Sequence, residues 1–565
     1  MVTVSRRFRI DPLRGFVSRA RRPAWLQELL QRRRDVLPLY TPQRAGWLIA
    51  FRRTVLFAVV MITAMFYGVA SAILPPALLA MIGAPYALLG LFVIWALPGS
   101  RTPPFKVLLR LFLVYFAVQL LWPNYIALDV GGLPWIALRR LVGTITTIVF
   151  LMCLSMSRPF RADLSVALKE SRPISTLFLI FFVSSTISAF TSVSPSEAIS
   201  RWIGTTLVNT PMFFVTIWIF ATGVRTFDWW INRFMIFVAI LMVIGVLEYH
   251  EKHILWANSI PSFLHVDEQM LNMILTPNFR NGYRISTTFT GPLSWGELTA
   301  LAIPFALHRL FNAKTNASQL LWAAYDLALV SSGYMSGARL AVVGAILAHT
   351  VYVFLWAVRR WRNHPGSLIG VSAMMMYPAF MVALLGAILF VPAVHNRVLG
   401  GGATQGSSQA RQEQFRMTIP AVAKRPLFGY GPGAGAYAVG WRNGAGFLSI
   451  DSAFLSTAAD EGLIGFGTYF GGVIALMIIL SISGVLWKGN GMPFDFALVS
   501  VFATFLSTRS VLSQWDSDML YWMLFGIGIA VVYRNRTGQI VHAGAEQYGS
   551  EDVRTPDPLG RPLVA

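Results

Sequence analysis

Long apolar runs recur along the chain from residue 54 to residue 533, separated by polar segments. Most of them have the roughly 17–25 residues that a helix needs to cross about 30 Å of hydrocarbon. The chain is 55% hydrophobic and 13% charged, with a mean hydropathy of +0.59, which is more apolar surface than a soluble globule needs. We therefore predict an all-α fold: a polytopic membrane helix bundle of about 12–14 transmembrane helices with one large loop.

The apolar runs predict fourteen individual helices. They lie at residues 54–74, 76–97, 107–122, 139–155, 174–190, 205–221, 234–249, 289–308, 319–333, 338–357, 368–391, 453–483, 495–511 and 517–533. Together they form one transmembrane domain over residues 54–533. An N-terminal arm of residues 1–53 precedes it, and a polar tail of residues 534–565, expected to be disordered, follows it.

The positive charge of the chain lies between the apolar runs rather than on one basic patch. The formal net charge is +21, from 46 basic and 25 acidic residues, and no nucleic acid partner is predicted. With the N-terminus inside, the cytoplasmic segments and the first turn of the third helix hold 32 of the 46 basic residues. Six of the other fourteen lie in the loop 392–452, and long loops largely escape the positive-inside bias. Both termini are therefore predicted to be cytoplasmic and the loop to face the opposite side.

The N-terminal arm holds thirteen arginines and three acidic residues, which predicts no cleavable signal peptide. The arm either contacts anionic membrane lipids or is a solvated tail. Cys153 is the only cysteine and lies in an apolar run. It therefore excludes an intramolecular disulfide and a cysteine metal cluster, and we interpret it as a core residue.

A polar segment from about residue 396 to residue 465 is the largest water-exposed element of the membrane domain, and we expect it to cover an active site. Residues 410–424 have the spacing of a surface helix that turns Arg411 or Arg416 inward. Residues 426–436 contain four glycines and two prolines, which indicates either a plain connector or a close backbone approach to a ligand. Upstream, a tight turn places Arg339 at the outer membrane boundary, where it either snorkels to lipid headgroups or binds a ligand.

Two acidic residues follow the glycine-rich stretch. Asp451 stands before a helix, where it either caps the helix or accepts a proton from an incoming hydroxyl. Glu461 falls inside the predicted membrane helix, and an embedded acid of this kind is expected to have an arginine as its partner.

In order and spacing, these segments resemble the O-antigen ligase and polymerase superfamily of bacterial envelope glycosyltransferases. The resemblance rests on an arginine and an aromatic residue in a loop helix, then RPLFGYGPGAG (425–435), a polar pair, and EGLIG (461–465) at the start of a membrane helix. Upstream, RISTTFTGPLSWGELTALAIPFAL (284–307) and SSGYMSGARLAVVG (331–344) are similar to the two other recurring segments of the family. The matched segments cover about 110 residues of the C-terminal half.

The resemblance implies a metal-independent transferase without cofactors in the bacterial inner membrane, with its large loop in the periplasm. The donor would be an undecaprenyl-diphosphate-linked glycan, and the acceptor a hydroxyl of a glycan or a lipid. Arginine suits this reaction because a guanidinium group can bind diphosphate oxygens bidentately. Arg339 and Arg411 match the diphosphate-contacting arginines of the family, with Arg284 and Arg416 as further candidates. Asp451 is the candidate acceptor-activating residue and Glu461 a supporting one.

The chain departs from the ligase pattern at one position. Ligases that attach O-antigen to lipid A-core commonly have His-Asn where this chain has Asp451-Ser452. The difference favours a polysaccharide polymerase over a ligase without deciding between them. It also leaves open whether a chain-length regulator is a further partner.

A membrane transporter or flippase is the alternative from another class. It would have charged or broken segments near the middle of the bilayer in matching halves, whereas most charges here lie at helix ends. Glu248 and Arg509 are the exceptions. Asp516-Ser517-Asp518 has the DxD form of metal-dependent transferases, but its position predicts a capping turn.

Overall fold

A computed structural model of the protein describes most of the membrane domain. The described residues are 84–97, 103–128, 136–261, 264–266, 282–366, 368–395, 405–443, 448–489, 491–514 and 516–538, with single positions between 47 and 65 and at 271 and 446. The arm before residue 47 and the tail after residue 538 lie outside them, as does most of the first predicted helix, 54–74.

The described chain is mainly helical, with three short strands and connecting turns, which confirms the all-α membrane fold. The helices are α1 Ala84–Ala96, α2 Phe105–Leu121, α3 Leu138–Met156, α4 Arg158–Glu170, α5 Arg172–Phe190, α6 Pro195–Ala221, α7 Phe227–Glu251, α8 Pro292–Phe311, α9 Asn316–Met335, α10 Arg339–Asn363, α11 Leu368–Phe390, α12 Pro392–His395, α13 Gln405–Lys424, α14 Gly435–Val439, α15 Ala453–Leu486, α16 Phe494–Arg509 and α17 Asp518–Thr537. The strands are β1 Ile126–Leu128, β2 Ile136–Ala137 and β3 Leu264–Val266.

Seven of the described helices are long and apolar enough to cross a membrane. They are α3, α5, α6 from Glu197, α7, α10, α11 from Gly370, and α15. The most apolar 18-residue stretch of α11 buries no residue, and large side chains such as Met376 and Val382 are exposed, as expected for a helix that faces lipid. The outer layer of the bundle therefore carries the strongest hydropathy signal.

Other helices are enclosed by protein. Nearly every residue of α8 and α17 is buried, and α8 packs against α9, α10 and α16, while α17 packs against α6 and α15. Because these helices contact protein on all sides, they can carry polar residues such as Glu297 and Ser294, which lower their mean hydropathy. The enclosed helices place charged groups inside the bundle.

Two predicted polar segments turn out to be helical. The cytoplasmic loop predicted between the fourth and fifth helices contains α4, which begins at a Ser157 cap that accepts a hydrogen bond from the Phe160 amide (3.2 Å). Phe160, Leu164 and Ala167 form a buried stripe at helical spacing, so α4 packs against the bundle although it is polar overall. Likewise α6 begins at Pro195, ten residues before its predicted start.

Outside the bundle, the three strands form an antiparallel sheet of order β2-β1-β3, in which Ile126 pairs with Val266.

Glu248 at the end of α7 fixes the segment that follows the sheet. Its carboxylate accepts hydrogen bonds from the Ser286 amide (2.9 Å), the Thr287 amide (2.7 Å) and the Tyr283 hydroxyl (3.0 Å). Burial, together with this carboxylate, raises the pKa of the Tyr283 hydroxyl, which remains a donor. Residues 283–287 are thereby held above α7.

Candidate active site

The turn between α9 and α10 positions two arginines. Gly337 has a positive φ of 63°, and an added Cβ there would lie 2.9 Å from Nε of Arg284. Arg284 donates from Nε to the Ser336 carbonyl oxygen (2.9 Å), so it packs across the turn that a side chain at position 337 would obstruct. Arg339 is the first residue of α10 and follows this turn directly. Two arginines are therefore positioned by one turn, Arg284 across it and Arg339 directly after it.

Arg339 reaches the helix of the large loop. Its Nη1 and Nη2 atoms each lie 3.4 Å from the Ser408 hydroxyl in the first turn of α13. Arg411 lies three residues after Ser408, and side chains three apart on a helix are neighbours. Arg411 is half-buried, with its Nε atom shielded from solvent. The structure thus brings Arg339 and Arg411 to the same part of α13.

The inward face of α13 is defined by its burial pattern. Gln414, Thr418 and Val422 are buried, and they follow Arg411 at intervals of three and four residues. Arg416 lies on the other side, where 74% of its side chain is exposed and its Nη1 is 3.7 Å from Glu413. Of the two predicted inward arginines, Arg411 is therefore the one that faces the bundle.

Gln414 connects α13 to Asp451. The Asp451 amide donates to the Gln414 side-chain oxygen (2.8 Å), and the preceding Ile450 carbonyl accepts from the Ser513 hydroxyl (2.5 Å). From Ser408 to Gln414 is six residues, or about 9 Å along the axis of α13. The contacts of Arg339 and of the Asp451 amide with α13 are thus less than two helical turns apart, and Arg411 lies between them in sequence.

Asp451 is not the cap of the helix that follows it. The cap of α15 is Ser452, whose hydroxyl accepts from the Leu455 amide (3.5 Å). Among the described residues, nothing donates a hydrogen bond to the half-buried Asp451 carboxylate. Of the two interpretations open for Asp451, the structural one does not apply.

The glycine-rich stretch approaches a helix backbone. The chain of α15 breaks at Gly462 (φ 69°, ψ −175°), which exposes peptide groups inside the helix. Residues 426–431 pair with them: Tyr430 N donates to Ala459 O (2.9 Å), and Leu463 N donates to Pro426 O (2.7 Å). Gly429 is required because a Cβ would lie 2.5 Å from Ala459 O. The close contact predicted for these glycines is thus made with α15, and we name residues 426–431 and 459–464 the glycine clamp.

Asp460 extends the clamp. Its Oδ1 accepts from the Gly435 amide (2.8 Å), and its Oδ2 accepts from Ser456 (3.3 Å). Arg201 on α6 packs against Gly433 and interacts electrostatically with this carboxylate. Asp460 therefore ties the glycine-rich stretch to α15.

Glu461 has a different partner from the one predicted. Its Oε1 accepts a hydrogen bond from the Ser185 hydroxyl on α5 (2.9 Å), and no arginine pairs with it among the described residues. The expectation of an arginine partner is wrong, because Glu461 lies where α15 packs against α5. A neutral hydroxyl is its partner there.

The buried cation with acidic partners is Arg509 instead. Its Nε lies 3.4 Å from Glu297, its Nη2 lies 2.6 Å from Asp518, and only 5% of its side chain is exposed. Asp516 accepts from the Thr290 hydroxyl (2.5 Å) and through its carbonyl from Gln119 (2.6 Å). Both carboxylates of the DxD segment thus take part in the structure of the outer turn.

A cavity with both polar and aromatic lining lies beside the first turns of α15. Its volume is about 120 Å³. Hydroxyl, amide and carboxylate groups line it together with aromatic rings, among them Thr205, Asn209, Ser456, Asp460, Glu461 and Trp522. Such a lining offers hydrogen bonds and stacking surfaces between α5, α6 and the first turns of α15.

Three residues that contribute to this site were not predicted from the sequence. Ser408 and Gln414 join Arg339 and Asp451 to α13, and Arg201 lies under the glycine-rich stretch. Helical spacing could have indicated Gln414, because it lies about one turn after Arg411. No local pattern indicates Ser408 or Arg201, because their partners are distant in sequence.

Comparison with known proteins identifies part of the chain. Residues 324–470 match the family model described as O-antigen ligase. This range contains Arg339, Arg411, Asp451 and Glu461, and Arg284 lies before it. The comparison with curated proteins gives no match. The match supports the resemblance of the chain to the O-antigen ligase and polymerase superfamily of bacterial membrane proteins over residues 324–470.

Proposed function

We propose that the protein is a polysaccharide polymerase that joins glycan repeat units on the periplasmic face of the bacterial inner membrane. The donor is a glycan on undecaprenyl diphosphate, and the acceptor is a second glycan on the same kind of carrier. The observation that carries the proposal is that Arg339 contacts α13 at Ser408 and the Asp451 amide contacts it at Gln414, with Arg411 between the two in sequence.

In the proposed reaction, an acceptor hydroxyl attacks the anomeric carbon of the donor sugar. The bond from that carbon to the diphosphate oxygen breaks, and undecaprenyl diphosphate leaves with the bonding electrons. Arg339 and Arg411 bind the diphosphate and stabilise the negative charge that grows on it. Asp451 takes the hydroxyl proton, a role for which its carboxylate has no competing hydrogen-bond donor among the described residues. Arg284 adds positive charge at the same turn.

The experiment compares products in a deletion strain and with purified protein. We expect the strain to accumulate single repeat units and to regain long polymer from the wild-type gene but not from an Asp451→Asn variant made at equal protein level. Purified protein given a lipid-diphosphate glycan should release undecaprenyl diphosphate as it forms glycosidic bonds. Normal polymer from Asp451→Asn would contradict the role of Asp451.

A ligase that transfers the glycan to lipid A-core or another acceptor is the second candidate. It uses the same donor and differs only in the acceptor. A deletion strain that leaves lipid A-core bare, while free polymer is still made, would identify the ligase.

The break in α15 at Gly462 is the feature that favours a transporter or flippase. Against it, the two embedded charges noted in the sequence are used internally: Glu248 binds backbone amides, and Arg509 pairs with Glu297 and Asp518. Transport of a labelled lipid-linked glycan by the protein in liposomes, with no new glycosidic bond, would favour this class.

A further inference from the structure

A second cationic pocket lies at the opposite end of α10 from Arg339. Twenty residues separate Arg339 from Arg359, which is about 30 Å along a helix and matches the thickness of the hydrocarbon core. Arg339 begins α10 at the candidate active site. Arg359 therefore lies at the other membrane interface, away from the proposed chemistry.

The pocket has a volume of about 480 Å³ and lies between α10 and the connection from α15 to α16. Among the described residues, its lining contains three cationic groups, a histidine and no carboxylate. The side chains that matter for binding are Trp356, Arg359, Arg360, Asn363, His364 and Lys488. Such a lining is complementary to an anion.

Arg359 gives the clearest indication of a ligand. It is 7% exposed, and its guanidinium donates to the carbonyl oxygens of Gly491 (2.5 Å) and Gly489 (2.8 Å). Its Nε is buried without a hydrogen-bond partner, and no carboxylate pairs with it among the described residues. A buried cation without an opposite charge is unfavourable, and an anion in the adjacent cavity would compensate it.

Another arginine at this interface is paired. Arg309, near the end of α8, lies 2.6 Å from the Asp228 carboxylate. Arg359 therefore differs from Arg309, because no carboxylate of the described residues pairs with it.

We propose that this pocket binds the phosphate group of an anionic lipid headgroup. Guanidinium and ammonium groups bind phosphate oxygens through charge-assisted hydrogen bonds, and Arg360 and Lys488 would close around the phosphate while Arg359 lies beneath it. The pocket lies at the depth where lipid phosphates lie, and basic pockets between membrane helices are suited to such headgroups. Soluble phosphate has the same chemistry. The site is independent of the proposed polymerase activity.

The test uses delipidated full-length protein in an uncharged detergent. Phosphatidylglycerol, phosphatidylcholine and inorganic phosphate are each titrated, and bound ligand is counted by native mass spectrometry alongside the thermal unfolding midpoint. The test variant is Arg360→Gln with Lys488→Gln, which leaves buried Arg359 in place. The control, Arg362→Gln with Lys314→Gln, removes the same charge outside the pocket.

We expect the wild type to bind phosphatidylglycerol in preference to phosphatidylcholine. Affinity should fall at least about tenfold in the test variant and less than about twofold in the control. Equal losses in both variants, or equal binding of the two lipids, would overturn the proposal. If inorganic phosphate raises the unfolding midpoint and displaces the lipid, soluble phosphate is the source of the ligand; if it does neither, the lipid is.

Discussion

At the scale of single residues, the arginines of the loop helix provide a matched comparison. Arg411 and Arg416 are five residues apart on α13, carry the same charge and face opposite sides. A mechanism based on the net charge of the loop would make them equivalent. One based on a bound diphosphate would distinguish them, because only the inward residue lies beside Arg339.

We therefore predict that Arg411→Gln and Arg339→Gln each reduce the rate of glycosidic bond formation by about 100-fold or more, the usual effect of removing one charge-stabilising donor. Arg416→Gln should change the rate by less than about threefold, since its exposed ion pair with Glu413 contributes little. Initial rates with a lipid-diphosphate donor at saturation measure the difference. The double variant Arg339→Gln with Arg411→Gln should be less than multiplicative if both residues contact one diphosphate. Similar rates for all three single variants would remove the arginines from the mechanism.

The acidic residues show what a sequence indicates about a single site and what it does not. An embedded carboxylate predicts a partner, and Glu461 has one, but its partner is the Ser185 hydroxyl rather than an arginine. The identity of the partner depends on which neighbouring helix packs against Glu461, and here that helix is α5. Asp451 was open to two interpretations, and the adjacent Ser452 proves to be the cap.

At the scale of elements, the glycine clamp explains how a broken helix can exist within a membrane protein. Free peptide groups in hydrocarbon are costly, so irregular backbone must be enclosed by protein. Here residues 426–431 of the clamp supply the partners, through hydrogen bonds such as the one from Gly431 N to Asp460 O (2.9 Å). The same pairing fixes the chain that runs from α13 into α15.

We predict that Gly429→Ala and Gly462→Ala each lower the stability of the protein by about 3 kcal/mol or more, because each adds a Cβ against backbone atoms at a positive φ. Gly467→Ala, in the same helix α15 with open space around it, is the control and should change stability by less than about 1 kcal/mol. The thermal unfolding midpoint in detergent and the protein level in membranes report the effect. Wild-type midpoints for both clamp variants would show that the pairing is dispensable.

Hydropathy predicts most of the bundle, since the helices from α2 to α17 that face lipid or the apolar core begin and end near their apolar runs. It misses α4, because the polar residues of this helix outnumber the buried apolar stripe that begins at Phe160. It also misses the start of α6 at Pro195. It also misses the break at Gly462, because the clamp that stabilises it is about 30 residues away in the chain. Distant backbone contacts have no local sequence pattern.

At the scale of the whole molecule, the two ends of α10 lie at two different sites. Arg339 at its first residue contacts the loop helix α13 at Ser408, and Arg359 near its last turn lines the second pocket. The two proposals therefore require that the ends of α10 lie in different compartments. The excess of basic residues in short loops on the Arg359 side favours the cytoplasm for that end.

This orientation is testable because the natural cysteine is buried. With Cys153→Ala as background, we predict that Lys424→Cys on α13 reacts with a membrane-impermeant maleimide in intact spheroplasts, whereas Ala317→Cys at the start of α9 reacts only after lysis. Both positions are exposed helix ends, so differences in reactivity reflect the compartment rather than burial. Labelling of Ala317→Cys before lysis, without labelling of Lys424→Cys, would invert the molecule. The diphosphate site would then face the cytoplasm, and a periplasmic polymerase would be excluded whatever the arginines bind.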